Sequence, residues 1–239
     1  MKHGEARFLS CMYVLSLTLL MLFAARGLRQ SATVSAEAAQ TPLVILDAGH
    51  GGTDGGSSAA DGTLESNINL QITLKTDAIL GLLGQETLLV RTTDTDLADE
   101  SATTIAQKKV TDIRNRVSLI NSHPEALLVS IHQNAFSQEK YYGAQVFYGS
   151  VGESKLLAET LQQNLNQYVD PTNRRKAKSI QPEVYLMNHI EVPGILVECG
   201  FLSNPTEAEK LKTDAYQNQL AVAIAVTAFN HLSGEDSGV

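Results

Sequence analysis

Residues 43–56 read LVILDAGHGGTDGG, and residues 70–84 read LQITLKTDAILGLLG. The first stretch is a short apolar run, Leu43-Val44-Ile45-Leu46, that breaks into a glycine-rich loop between Gly49 and Gly56. In the second, Leu70, Ile72, Leu74, Ala78, Ile79, Leu82 and Leu83 recur at helical spacing, and Gly84 stops the pattern. The same alternation continues outward. Thr87–Arg91, Leu127–Ile131, Gly143–Tyr148, Pro182–Met187 and Gly194–Val197 read as strands, and 112–121, 154–168 and 216–232 read as helices. Asp94–Lys109 is polar and aperiodic, a surface loop with room for a short helix. Strands separated by helices of 10–15 residues predict an α/β fold on a largely parallel sheet. No internal repeat is visible.

The 239 residues suffice for one substantial domain. At 43% hydrophobic and 18% charged, with only 6 Pro, the chain is neither disordered nor fibrous. Two cysteines, Cys11 and Cys199, lie far apart and predict no internal bridge. The net charge of −8 conceals an asymmetry: residues 1–30 carry +3, leaving −11 on the rest. A domain this acidic is a poor general binder of nucleic acid, which is excluded as a partner.

Phe8–Ala25 is an uncharged 18-residue run preceded by Lys2 and Arg7. That is the layout of a secretory signal or a short membrane anchor. Val34-Ser35-Ala36 would suit a signal peptidase but lies well past the run, while Arg26 directly after it suits an anchor. Cys11 precedes most of the run, which argues against lipidation. Residues 1–30 are therefore expected to be a signal peptide or anchor and 31–41 a linker. The catalytic domain should span 42–234, and the protein should be exported.

Three strands that should be apolar throughout end instead in reactive side chains. LVILDAGHGG delivers His50, LLVSIHQNA delivers His132, and GILVECGF delivers Glu198. In open α/β sheets ligands bind beyond the carboxyl ends of the strands, so the three could converge. Each taken alone reads more simply as a strand cap bonded to a loop. Together they are costly to bury unless paired or metal-bound. Two histidines and a carboxylate suit zinc, with a fourth position for water. Glu65, opening a helix after the glycine loop, is the natural third ligand, provided the loop swings it towards His50. It reads equally well as an acid complementing a helix dipole. Glu198 would then take the water's proton and return it to the leaving amine. The glycine cluster lacks the lysine of a phosphate-binding loop and the spacing of a dinucleotide fingerprint. Cys199, alone on an apolar strand, reads as inert core rather than a nucleophile.

LDAGHGGTDGG, LESNINL with Glu65, SIHQNA and VECGFLSNPTEAEKL, in this order, resemble the zinc-dependent N-acetylmuramoyl-L-alanine amidases of the Amidase_3 family. The resemblance covers residues 43–232. It implies a single catalytic domain, a twisted mixed sheet with helices on both faces. It also implies Zn2+ on His50, Glu65 and His132, and a catalytic Glu198. The implied reaction is hydrolysis of the amide between N-acetylmuramic acid and L-alanine in peptidoglycan. RTTDTDLA, KKVTDIRNRVSLIN, SQEKYYGAQVFYG and RKAKSI resemble the spore-cortex branch that acts in forming muramic δ-lactam, although Gln133 departs from it. That branch makes an activating partner protein plausible. Asn134, beside His132, is a candidate for holding substrate. Arg174, Arg175, Lys176 and Lys178 form the densest basic run in the acidic body, and Arg175 or Lys178 is expected to meet a carboxylate of the stem peptide. Three alternatives stand beside this reading. They are a vegetative cell-wall amidase in cell separation or autolysis, an inactive peptidoglycan-binding homologue, and a metal hydrolase of another amide.

Overall fold

The strand β1 (Val44–Ala48) is buried at every position because it is central in the sheet and covered on both faces. β2 (Thr87–Leu89) lies parallel on one side and β3 (Leu127–Asn134) parallel on the other. In the computed structural model, which describes residues 43–234, six strands form one sheet in the order β2-β1-β3-β6-β4-β5. β6 (Gly194–Phe201) runs parallel to β3, β4 (Gln145–Tyr148) pairs antiparallel with β6, and β5 (Lys178–Ser179) runs parallel to β4. The sheet is mixed, with four parallel strands on one side. The expected signal or anchor and the linker lie outside the described residues.

Alternation along the strands sorts the core into two layers. Val44, Leu46, Leu127, Val129, Ile131, Ile195 and Val197 pack with α1 (Glu65–Leu82), α3 (Ser154–Asn164) and α6 (Asp214–Leu232). Ile45, Leu128 and Leu196 pack on the opposite face with Ile120 of α2 (Ile105–Asn121) and with Leu186 and Met187 of α4 (Tyr185–His189). Helices therefore cover both faces. Each fully buried Leu or Ile stabilises the fold by roughly 1.5–3 kcal/mol.

Three expectations are corrected. Residues 182–187 are not a strand: β6 already has β3 on one edge and β4 on the other, so no slot remains. The segment lies on a face of the sheet instead, as the short helix α4 that buries Leu186 and Met187. Periodicity cannot separate a strand from a helical turn in so short an apolar run. The loop placed at 94–109 ends earlier, because Thr104 and Gln107 form a reciprocal capping box that starts α2 at Ile105. A helix α5 (Pro205–Leu211) was not expected, although Asn204 caps it and Pro205 occupies its first turn.

Candidate metal centre and catalytic carboxylate

The parallel strands deliver their reactive side chains at their carboxyl ends, in the middle of the sheet. His50 follows β1 in the left-handed region, at φ 62°, a conformation uncommon for a side-chain-bearing residue. Two arginines hold the backbone there. Arg116 Nη2 donates to the His50 carbonyl at 2.7 Å, and its Nη1 to the Ala48 carbonyl at 3.0 Å. Arg91 donates to the carbonyls of Ala48, Gly49 and Ser66 at 2.9, 3.2 and 2.8 Å. Arg116 is itself fixed by Asp47 at 2.6 Å and Asp112 at 2.9 Å, and Asp47 also accepts from Ser130 Oγ at 2.6 Å. The Asp47–Arg116 pair is sealed from water. Arg116→Met strands a buried carboxylate and is expected to cost about 3–5 kcal/mol in urea unfolding. A cost under about 1 kcal/mol would show that the pair does not clamp this loop.

Glu65 is the first residue of α1 and nearly fully buried. It needs no swing. Its Oε2 accepts from the Ser57 amide at 2.8 Å, and its Oε1 from the Gln133 amide at 3.1 Å and Asn69 Nδ2 at 3.3 Å. The same Oε1 lies 3.3 Å from His50 Nε2 and 3.1 Å from His132 Nδ1. The two imidazoles meet edge-on with centroids 5.1 Å apart. Burial works against ionised Glu65, but the hydrogen bonds and charge of His132 and His50 outweigh it and hold the carboxyl far below the usual range. Burial likewise opposes charge on His50, whose bonds to Glu65 and Asp54 raise it to about 9.

One ligand atom from each of His50, Glu65 and His132 lies within 4.8 Å of the others. Close approach also explains two glycines. A Cβ at Gly49 would strike the His132 ring, and one at Gly56 would come 2.6 Å from Glu65 Oε2 and 2.7 Å from His50 Cδ2.

Sequence reasoning missed Asp54. Its Oδ2 lies 2.8 Å from His50 Nδ1 and its Oδ1 2.8 Å from Lys109 Nζ. A carboxylate on the second ring nitrogen fixes the tautomer and leaves Nε2 directed at Glu65, the usual support of a metal-bound imidazole. Its position four residues after His50 in a tight glycine turn was a readable signal. Lys109 and Arg116 were not readable, because only the packing of α2 brings them here.

Glu198 stands opposite His132 in the β3–β6 ladder. Part of the residue reaches the surface, but Oε2 is closed off and has no hydrogen-bond partner among the described residues. Burial pushes its carboxyl up to about 7. A buried carboxylate oxygen without a donor, beside two imidazoles and a second carboxylate, fits a site completed by a cation and its water. A cavity of about 150 Å³ opens over the two histidines, lined by His50, Asp54, Lys109, His132 and Tyr185 among others.

The next residue, Cys199, is sealed in the layer on the opposite side of the sheet, and burial drives its thiol well above the ordinary range. Cys199→Ser should leave turnover within about twofold and cost on the order of 1 kcal/mol of stability. Complete inactivation of a folded variant would restore the thiol as a nucleophile.

Asn134 ends β3 beyond a register shift and pairs with Phe201, at the same end of the strand as His132. Arg175 lies beside β4: its Nη1 donates to Gln145 Oε1 at 2.8 Å. Lys178 sits exposed on the edge strand β5, opposite Phe147, and does not line the cavity over the histidines.

Residues 44–228 match the sequence profile of Amidase_3, described as N-acetylmuramoyl-L-alanine amidase. The germination-specific N-acetylmuramoyl-L-alanine amidase of Bacillus subtilis is 39% identical over 183 residues, 76% of each chain. The amidase LytC of the same organism is 29% identical over 76% of this chain but only 34% of its own length. Among solved structures, the CwlD amidase of Clostridioides difficile, determined in complex with the GerS lipoprotein, is similar at a TM-score of 0.77. It is 40% identical, over 81% of this chain and 99% of CwlD.

Proposed function

The chain belongs to the Amidase_3 family of N-acetylmuramoyl-L-alanine amidases, and from that premise we propose that it is a zinc-dependent enzyme of spore-cortex peptidoglycan, acting in muramic δ-lactam formation. Amidase action on peptidoglycan is common to the family. The zinc reading is carried by one observation, the convergence of His50, Glu65 and His132 beside Glu198, whose closed-off Oε2 lacks a donor. The spore-cortex reading is supported by the 39% identity to the germination-specific amidase.

His50 Nε2, His132 Nδ1 and a Glu65 oxygen would hold the metal. Zinc bound there supplies Lewis acidity and brings the pKa of water to about 7. Glu198 manages the proton: its carboxylate accepts one from the attacking water and delivers it to the nitrogen of L-alanine as the amide breaks. A base whose carboxyl is raised towards neutrality suits that exchange. Asp54 and Lys109 orient His50, and Asn134 stands ready to orient the muramoyl side. Lys178, exposed on β5, contributes only long-range attraction to an anionic substrate.

Residues 1–30 would export the protein as a signal peptide or hold it at the membrane, with 31–41 as a linker, so that the site faces cell wall or cortex. CwlD was determined with a lipoprotein, which supports a comparable activating partner here. Mass analysis of muropeptides digested by the purified protein tests the reading. Free stem peptides and peptide-free muramic residues are expected. Intact amides after incubation with zinc-loaded protein and any candidate partner would overturn it.

A further inference from the structure

The site does not end at Glu198. Gln145 of β4 stands opposite Glu198 in the antiparallel ladder, as His132 does in the parallel one. Residues paired directly across strands project to the same face, so His132, Glu198 and Gln145 form a row. Gln145 is buried; its Nε2 donates to the Lys176 carbonyl at 3.0 Å, and its Oε1 accepts from Arg175. Arg175 Nε donates to the Tyr142 carbonyl at 2.7 Å, and its guanidinium lies 4.5 Å from the centroid of the Phe201 ring. Two guanidinium nitrogens are thereby fixed. The third, Nη2, has no hydrogen-bond partner among the described residues.

Beside this guanidinium lies a cavity of about 270 Å³ lined by Lys140, Tyr141, Tyr142, Asn173, Arg174 and Arg175. It holds three cations and no acid, on a body that carries −11. Among the described residues none of the three forms an ion pair within 4 Å. Glu207 is the acid acting on Arg175, but its two oxygens are committed to the amides of Gly143 and Phe201, each at 2.9 Å. Arg174 spends Nη1 on the carbonyls of Pro171 and Asn173, and Lys140 Nζ lies 5.4 Å from the centroid of the Tyr141 ring. Three cations gathered with only Glu207 acting on one of them carry a net positive charge, and a bound anion relieves the repulsion.

We propose that this cavity binds a free carboxylate of the stem peptide, held by Arg175 with Lys140 and Arg174 alongside. The proposal rests on the amidase reading, which supplies an acidic peptide as substrate. The scale agrees. His132 to Gln145 spans two strand spacings, about 10 Å, and Arg175 lies one side chain further. An extended peptide rising about 3.3 Å per residue brings a carboxylate there about three to five residues past the scissile amide, its side chains included in the reach. A pre-fixed guanidinium suits a planar carboxylate better than a flexible ammonium does.

The test is calorimetric binding of the product tripeptide, the first three residues of the stem, to the full chain. The tripeptide is supplied with free carboxylates or as the carboxamides. The native protein should prefer the free acid by about ten- to hundredfold, the usual range for a charge-assisted bond. Arg175→Ala should erase that preference, weakening the free acid far more than the carboxamide. Because Arg175 also braces Tyr142, a second variant at an exposed position, Lys140→Glu, should favour the carboxamide. Equal affinity of the native protein for both peptides would overturn the proposal, as would equal weakening of both in the variants. Muropeptide cleavage is measured in parallel. Cleavage without discrimination sinks the pocket alone, and discrimination without cleavage sinks the amidase reading alone.

Discussion

Glu198→Gln is expected to keep the fold and one zinc per domain yet release stem peptide about 10²–10⁴-fold more slowly, the usual contribution of a positioned acid–base group. The amide has nearly the shape of the carboxylate but cannot take a proton from water. Because Oε2 already lacks a donor, exchanging the carboxylate for a neutral amide strands no new group and should cost little stability. The loss of rate must exceed anything that partial unfolding explains. Turnover of zinc-loaded protein, normalised to the folded fraction from a melting curve, makes the separation. A decrease smaller than tenfold would show that another group moves the proton.

The second large effect concerns the metal. His50→Ala and His132→Ala should each abolish stoichiometric zinc, measured by elemental analysis after gel filtration, and activity should vanish with it. Each removes one of the three proposed protein ligands. The backbone should survive both changes. The His50 carbonyl bond to Arg116 does not involve the imidazole, and the His132 amide belongs to a ladder buried between β1 and β6. Unchanged zinc content in both variants would mean that the metal sits elsewhere.

How far these residues were legible in advance follows from what makes each position costly. An apolar strand that ends in His or Glu announces itself, because burying an imidazole or carboxylate without a partner is expensive. His50, His132 and Glu198 could be nominated for that reason alone. Glu65 could not be separated from an ordinary helix-opening acid by spacing. Only the packed α1 shows its Oε1 shared between two imidazoles.

Most of the alternation of strands and helices, the export segment as an expectation, and the acidic body follow from the sequence by itself, since local periodicity and charge do not depend on distant partners. Tertiary structure decided the rest. It made 182–187 a helix, because β6 had no free edge. It brought Arg116 to His50 across 66 residues, and joined Lys140 to Arg174 and Arg175 around one cavity. Such contacts are set by which surfaces the whole sheet leaves open, and no local pattern encodes that.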